Sequence, residues 1–322
     1  MTQTPVLAVL GPTAAGKSAL SMALAKALPV EIVCMDSMQI YQGMDIGTAK
    51  PGPEERLQVA HHMLDVVGPK ESFSVSQYAD MARPILEDIG SRGKLPLLVG
   101  GTGLYLKALT QGLPLGGVAG SQEVRDRLHA IARQEGGPLI LHAMLREADP
   151  ASAQKLHPND LRRVIRALEV YEATGKPISR QDEPAGESGF RFGLLGTAMR
   201  REVLYERINR RVEEMAAQGL EEEVRGLLAR GVTRDCQSMQ GIGYKEWIPV
   251  LEGAAARADA LERIKRNTRH YAKRQLTWFK AVQDVHWLDM EQPQAAARAL
   301  EFAGEFWVAA QGEAAPPQGK GT

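Results

Sequence analysis

Gly11-Pro12-Thr13-Ala14-Ala15-Gly16-Lys17-Ser18 has the spacing G-x-x-x-x-G-K-[ST] of a loop that cradles phosphates. In such a loop the glycines let backbone N–H groups turn inward onto phosphate oxygens. Lys17 adds a point charge, and the Ser18 hydroxyl can hold a Mg2+ that bridges two phosphates. Before the loop runs a short apolar stretch, "PVLAVLG"; after it, "SALSMALAKAL" carries apolar residues at helical spacing. Strand, loop and helix in that order define a phosphate site without saying whose phosphates it holds.

A nucleotide hydrolase or kinase carries an acid at the end of a second apolar strand, where it organises Mg2+. The apolar run "LPLLVGGTG" offers Gly-Gly-Thr at that place. The acid that does close a strand is Asp36, at the end of "VEIVCMD", and it opens a polar, glycine-punctuated loop, "DSMQIYQGMDIGTAKP". Asp36 can bind a metal, receive a proton or cap a helix, and the local sequence leaves these open.

Positioning these groups requires a sheet. The runs at 30–36 and 95–101, with the helical segment "SVSQYADMARPILEDIGSRG" leading into the second, predict an α/β fold: a P-loop NTPase-like parallel sheet core flanked by helices. Ligands of such sheets sit beyond the carboxyl ends of the strands, so the phosphate loop, Asp36 and Gly101-Thr102 should converge. Residues 116–189 are helical and charged and form a helical insertion domain. The core comprises 1–115 and 190–290, in which "RFGLLGTAM" resumes as a strand and 200 to about 285 is helical and basic. Residues 310–322 read as a disordered tail.

Lys plus Arg and Asp plus Glu each total 39, so only local clustering can disclose a nucleic-acid partner. Residues 263–280 hold seven Lys or Arg and no Asp or Glu, interleaved with His270, Tyr271, Trp278 and Phe279. That run suits phosphate contacts and base stacking, or an amphipathic helix with its aromatics in the core. Two cysteines among 322 residues exclude a disulfide framework or a zinc ligand set. With no leader-like start and no run of eighteen apolar residues, a cytoplasmic protein without a membrane partner is expected. No apolar stripe is left over for another chain, so a monomer without an obligate protein partner is expected as well.

Seven segments, in order and spanning nearly the whole chain, carry a resemblance: "GPTAAGKS", "DSMQIYQGMDIGTAKP", "HHMLDV", "LLVGGTGLYLKAL", "HPNDLRRVIRALEV", "MQGIGYKE" and "YAKRQLTWFK". Together they resemble the tRNA dimethylallyltransferases, also called isopentenyl-diphosphate:tRNA isopentenyltransferases, of the bacterial type. The resemblance implies that Gly11, Thr13, Ala14, Ala15, Gly16, Lys17 and Ser18 hold the diphosphate of dimethylallyl diphosphate rather than ATP, with Mg2+ on Ser18. It further implies transfer of the five-carbon group to N6 of the adenosine 3′ of the anticodon (position 37) in tRNAs reading codons that begin with U. Asp36 is then the general base, Thr102 a hydrogen-bonding partner of the bridging oxygen, and Arg211 a neutraliser of the leaving charge. Contacts to the tRNA anticodon stem-loop fall to Asp36, Ser37, Met38, Gln39, Thr102 and Arg125. Further contacts fall to Arg162, Arg163, Val164, Ile165 and Arg166, and to Gln240, Gly241, Ile242, Gly243, Tyr244 and Lys245. Spacing alone lets Arg211 pair with Glu214 instead. The alternatives are a P-loop small-molecule kinase and a nucleotide-dependent RNA-binding protein.

Overall fold

The structure, a computed structural model, describes residues 3–111, 122–180 and 188–314. The chain divides into two compact units, residues 1–106 with 188–322, and residues 107–187. Its strands are β1 (Thr4–Leu10), β2 (Val30–Met35), β3 (His61–His62), β4 (Leu95–Gly100), β5 (Phe190–Ala198) and β6 (Val285–Asp289). Its helices are α1 (Lys17–Ala27), α2 (Pro53–Gln58), α3 (Val75–Ser91), α4 (Gly103–Thr110), α5 (Gln122–Ala132), α6 (Gly137–Ala148), α7 (Pro150–Lys155) and α8 (Leu161–Thr174). They continue with α9 (Arg201–Ala217), α10 (Leu220–Ala229), α11 (Ile248–Leu251), α12 (Arg257–Lys280) and α13 (Ala295–Ala314).

In the first unit the strands form one parallel sheet in the order β3-β2-β4-β1-β5-β6. Parallel strands covered by helices are apolar at consecutive positions rather than at alternate ones, and Val6, Leu7, Ala8, Val9 and Leu10 are all fully buried. Leu20 and Leu24 of α1 and Ala299 and Ala303 of α13 share a core with Leu7, Val9, Ile32 and Leu97. Tyr78, Ala82, Leu86 and Ile89, at helical spacing, are the buried stripe of α3. Its first turn is closed by a reciprocal cap between Ser74 and Gln77.

Two features depart from the expected organisation. Residues 285–289 form β6, a strand that the sequence does not announce because only Leu288 in it is buried. Residues 310–314, expected in the disordered tail, continue α13, while 315–322 lie outside the described residues.

The second unit is a helical cluster in which Leu128 of α5, Leu141 and Leu145 of α6 and Val164, Ile165 and Leu168 of α8 form the core. Asp149 ties its turns together. Its carboxylate accepts from the Ser152 and Ser179 N–H groups and hydroxyls at 2.6–3.0 Å.

Candidate active site

The carboxyl ends of β1, β2 and β4 meet. At the end of β1 the backbone of Gly11 has φ 143°, and a Cβ there would lie 2.2 Å from Thr197 Oγ1 and 2.7 Å from its carbonyl oxygen, so glycine alone fits. Ala14 follows with φ 64°, a left-handed conformation that an alanine resists. Packing holds it there: Ala14 and Ala15 sit among Leu204 and Ile208 of α9 and Ala272 of α12, and Arg207 Nε donates to the Ala14 carbonyl at 3.0 Å.

The loop then enters α1, whose first-turn N–H groups have no partner inside the helix. Expectation and structure differ over which N–H groups face a ligand. Thr13 N–H donates to the Gln275 side-chain oxygen at 2.9 Å and Ala15 N–H to the Pro12 carbonyl at 3.3 Å. Those of Ala14, Gly16, Lys17 and Ser18 have no hydrogen-bond partner among the described residues. Lys17 Nζ braces the loop from within, donating to Gly11 and Pro12 carbonyls at 3.0 and 2.8 Å. Burial lowers its pKa to about 8; the charge of Asp36 works upward and that of Arg211 downward, so all three groups feel one another.

Asp36 stands one residue beyond β2. Its Oδ1 accepts from the Met38 N–H at 2.8 Å and the Gln39 N–H at 3.4 Å, but no helix starts there, so Asp36 closes a turn and does not cap a helix. The second oxygen makes no hydrogen bond among the described residues and is free to accept a proton. Beside it, at the end of β4, Thr102 N–H donates to the Met35 carbonyl at 3.2 Å, and Thr102 Oγ1 accepts from the Ser37 N–H at 3.2 Å. The ends of β2 and β4 are thereby joined. Behind Asp36, Tyr78 donates to the Cys34 carbonyl at 2.9 Å and stacks on Tyr105 at 3.8 Å, a dry wall that pushes the Tyr105 and Cys34 pKa values up.

Arg211, on α9, does not pair with Glu214; Arg210 does, at 3.7 Å. Among the described residues the Arg211 guanidinium has no ion pair or hydrogen bond, and burial lowers its pKa against the opposing pull of Asp36. It lines a cavity of about 350 Å³ with Asp45, Lys50, Glu214, Met215 and Gln218. A cation kept half-buried without a partner is suited to an anion.

Mg2+ is expected on Ser18. The Ser18 hydroxyl is exposed in the first turn of α1 and is the donor this chain offers there. Mg2+ keeps several waters and is commonly held by substrate phosphates with few protein ligands, so one hydroxyl beside a diphosphate suffices.

Several residues expected to contact tRNA have partners within the protein. The Gln39 amide, expected to read adenine, donates to the Thr48 and Ala49 carbonyls at 3.0 and 3.2 Å and accepts from Cys34 Sγ at 3.1 Å. It shapes its own loop instead. Tyr244 is buried, its hydroxyl donating to Glu223 at 2.6 Å. Gly241 and Gly243 are also buried: Met38 occupies the space beside Gly241, and Gly243 N–H donates to Glu246 at 2.8 Å. Neither offers backbone to RNA. Gln240 and Lys245 are exposed and Ile242 is half-buried.

In the helical unit Val164 and Ile165 are core residues, whereas Arg162, Arg163 and Arg166 line the exposed side of α8. Arg125 donates to the buried Glu169 at 2.6 Å. Along α12, Phe279 is core and so not free to stack on a base, while the half-buried Trp278 lies edge-on to it and fills the space beside Gly103. Arg263, Arg266, His270, Lys273, Arg274 and Lys280 are exposed.

Two positioning groups escape a reading by motif. Glu223 accepts from three successive N–H groups, those of Asp45, Ile46 and Gly47, at 2.8–3.2 Å, and thus fixes the loop behind Asp36. Gln275 interrupts the buried stripe Ala260, Ile264, Ala272 and Phe279 of α12, and a polar residue on an apolar stripe is a signal the sequence does contain.

Comparison with known proteins shows the family. A family model described as IPP transferase matches residues 39–282, and one described as isopentenyl transferase matches residues 4–66. The tRNA dimethylallyltransferase of Geobacillus thermodenitrificans is 47% identical over 297 residues, 92% of this chain and 94% of that one. That of Roseiflexus castenholzii is 48% identical over 92% of this chain and 96% of its own. Among solved structures, the tRNA isopentenylpyrophosphate transferase of Bacillus halodurans matches with a TM-score of 0.72 and 42% identity, covering 97% of this chain and 99% of that one. A eukaryotic dimethylallyltransferase acting on tRNA matches at 0.80 with 31% identity, covering 95% and 80%. With nearly half its residues shared along almost its entire length, the chain belongs to the IPP transferase family, among the tRNA dimethylallyltransferases.

Proposed function

We propose that the protein transfers a dimethylallyl group from dimethylallyl diphosphate to N6 of adenosine 37 in tRNAs reading codons that begin with U, releasing diphosphate. One observation carries the reading: a phosphate loop and a lone carboxylate with a free oxygen, Asp36, occupy one end of the sheet, and the strand that closes between them ends in Gly-Gly-Thr. A kinase carries its metal-organising acid at that strand end, and Gly-Gly-Thr stands there instead.

The chemistry follows from these groups. As the allylic C–O bond breaks, its electron pair leaves with the diphosphate, and the carbon is taken by the N6 lone pair. Lys17, Arg211 and the N–H groups of Ala14, Gly16, Lys17 and Ser18 face the growing negative charge, already oriented before it appears. Thr102 offers its hydroxyl to the bridging oxygen. Asp36 accepts the hydrogen bond and then the proton of N6, an amine whose lone pair is otherwise drawn into the purine ring. Ser18 would hold Mg2+, which would supply positive charge to the leaving diphosphate. The adenine must leave its stack to reach Asp36, at a cost of a few kcal/mol that RNA contacts have to offset. Arg162, Arg163, Arg166, Lys245 and the exposed basic side of α12 are the groups suited to supply them.

Mass spectrometry of an unmodified anticodon stem-loop after incubation with Mg2+ and dimethylallyl diphosphate tests the reading. A C5H8 gain on the target adenosine, absent when ATP replaces the donor, is the expected result; no gain on stem-loop or full-length tRNA overturns it. Replacing Arg162 and Arg163 together by alanine should weaken tRNA binding and lower the slope of log K against log salt by about 1–2. An unchanged slope removes both from the interface.

A further inference from the structure

Beyond the sheet, among the described residues, a side chain joins the ends of β1 and β4. The Gln275 oxygen accepts from Thr13 N–H at 2.9 Å, and its amide nitrogen donates to the Gly101 carbonyl at 2.9 Å. Gln275 is buried. A Cβ on Gly101 would lie 2.0 Å from that nitrogen and 3.3 Å from the Gly11 carbonyl oxygen, so the absence of a side chain at Gly101 is what lets the amide enter. Onward from Gly101, Thr102 Oγ1 accepts from Ser37 N–H, next to Asp36. A continuous circuit therefore runs from phosphate loop to Gln275, Gly101-Thr102, Ser37 and Asp36. The Tyr271 hydroxyl, one helical turn from Gln275, adjoins both Thr102 and Gln275.

We propose that Gln275 is a positioning residue that sets the phosphate loop against Thr102 and thereby holds the departing diphosphate and the N6 acceptor in register. The inference rests on the transfer reaction proposed above. Only a primary amide presents a donor and an acceptor side by side, as one backbone N–H and one backbone carbonyl require here. A carboxylate of the same shape keeps the bond from Thr13 but turns an acceptor toward the Gly101 carbonyl. An apolar side chain of similar length preserves packing on the stripe and loses both bonds. Misplacement of reacting groups by a fraction of an ångström is felt in turnover more than in ground-state binding.

The test is single-turnover prenylation of the anticodon stem-loop by full-length wild type, Gln275→Met, Thr102→Ala and the double variant. Gln275→Met should lower the rate at saturating substrate about 10- to 100-fold and shift KM for dimethylallyl diphosphate by less than about threefold. In the Thr102→Ala background the same change should cost less than about threefold, because its route of action is already gone. Equal costs in both backgrounds, or a wild-type rate in Gln275→Met, overturn the proposal. If Gln275→Met does not fold, as judged by circular dichroism, Gln275→Glu is carried through the same cycle with the same two readings. A wild-type protein that makes no product refutes the transfer itself; an active wild type with equal costs refutes only the role of Gln275.

Discussion

Replacing Asp36 by asparagine lowers kcat about 10²- to 10³-fold while affinity for the anticodon stem-loop stays within about threefold of wild type, the size expected for loss of a general base. The substitution is chosen because Asp36 serves two ends. Its Oδ1 accepts from Met38 and Gln39 N–H groups, and the asparagine carbonyl can do the same, so the loop entering at residue 36 keeps its turn. The other oxygen becomes an NH2, which donates where a proton must be received.

Alanine removes both functions at once and should therefore cost stability as well as rate, by about 1–2 kcal/mol for the hydrogen bonds of the turn. The pair of variants separates them. Rates of D36N and D36A that differ little, with D36A alone lowered in thermal midpoint, assign the rate effect to proton acceptance. A near-normal kcat in D36N removes Asp36 from the base role and leaves it the turn alone.

How much of this was legible in the sequence differs from group to group. The phosphate loop and the parallel strands behind it are visible because both are local: a spacing of glycines, and apolar runs long enough to be buried on both faces. Asp36 and Thr102 are visible for a related reason, since strand ends of such sheets face ligands. Gln39 is the instructive case. Its amide has the right chemistry for adenine, but a side chain four residues beyond a strand end can also satisfy its own loop, and the carbonyls of Thr48 and Ala49 take it. Tyr244 and Gly243 are held similarly, through contacts with Glu223 and Glu246 that span a loop and a helix start. The aromatics of α12 divide by helical phase: Phe279 falls on the buried stripe with Ala272, whereas His270 falls outside it. The strand β6 is hidden because an edge strand needs little apolar surface, and "VHWLD" carries too short a pattern to be told from a turn.

Replacing Lys17 by methionine lowers kcat/KM for dimethylallyl diphosphate about 10²- to 10³-fold, equivalent to about 3–4 kcal/mol for one preorganised charged donor. Methionine retains the length of the stem, so the cost reports charge and hydrogen bonding rather than packing. The pH profile gives a second reading. With its pKa brought down by burial to about 8, Lys17 is cationic below that pH and neutral above it. The free wild-type enzyme should therefore lose kcat/KM about tenfold per unit as pH rises beyond 8, while K17M shows no such limb. Bound diphosphate favours the ammonium, so kcat at saturation stays level over the same range. Stability runs the other way. An unfolded lysine titrates at 10.5 and the folded one at about 8, so between these values the unfolded chain holds the extra proton, and the contribution of Lys17 to stability rises with pH. The difference in unfolding free energy between wild type and K17M, followed from pH 7 to 10, should thus shift in favour of wild type across the window in which its activity declines. A kcat/KM limb that persists in K17M, or a stability difference independent of pH, places the titrating group elsewhere and leaves Lys17 a brace for the Gly11 and Pro12 carbonyls only.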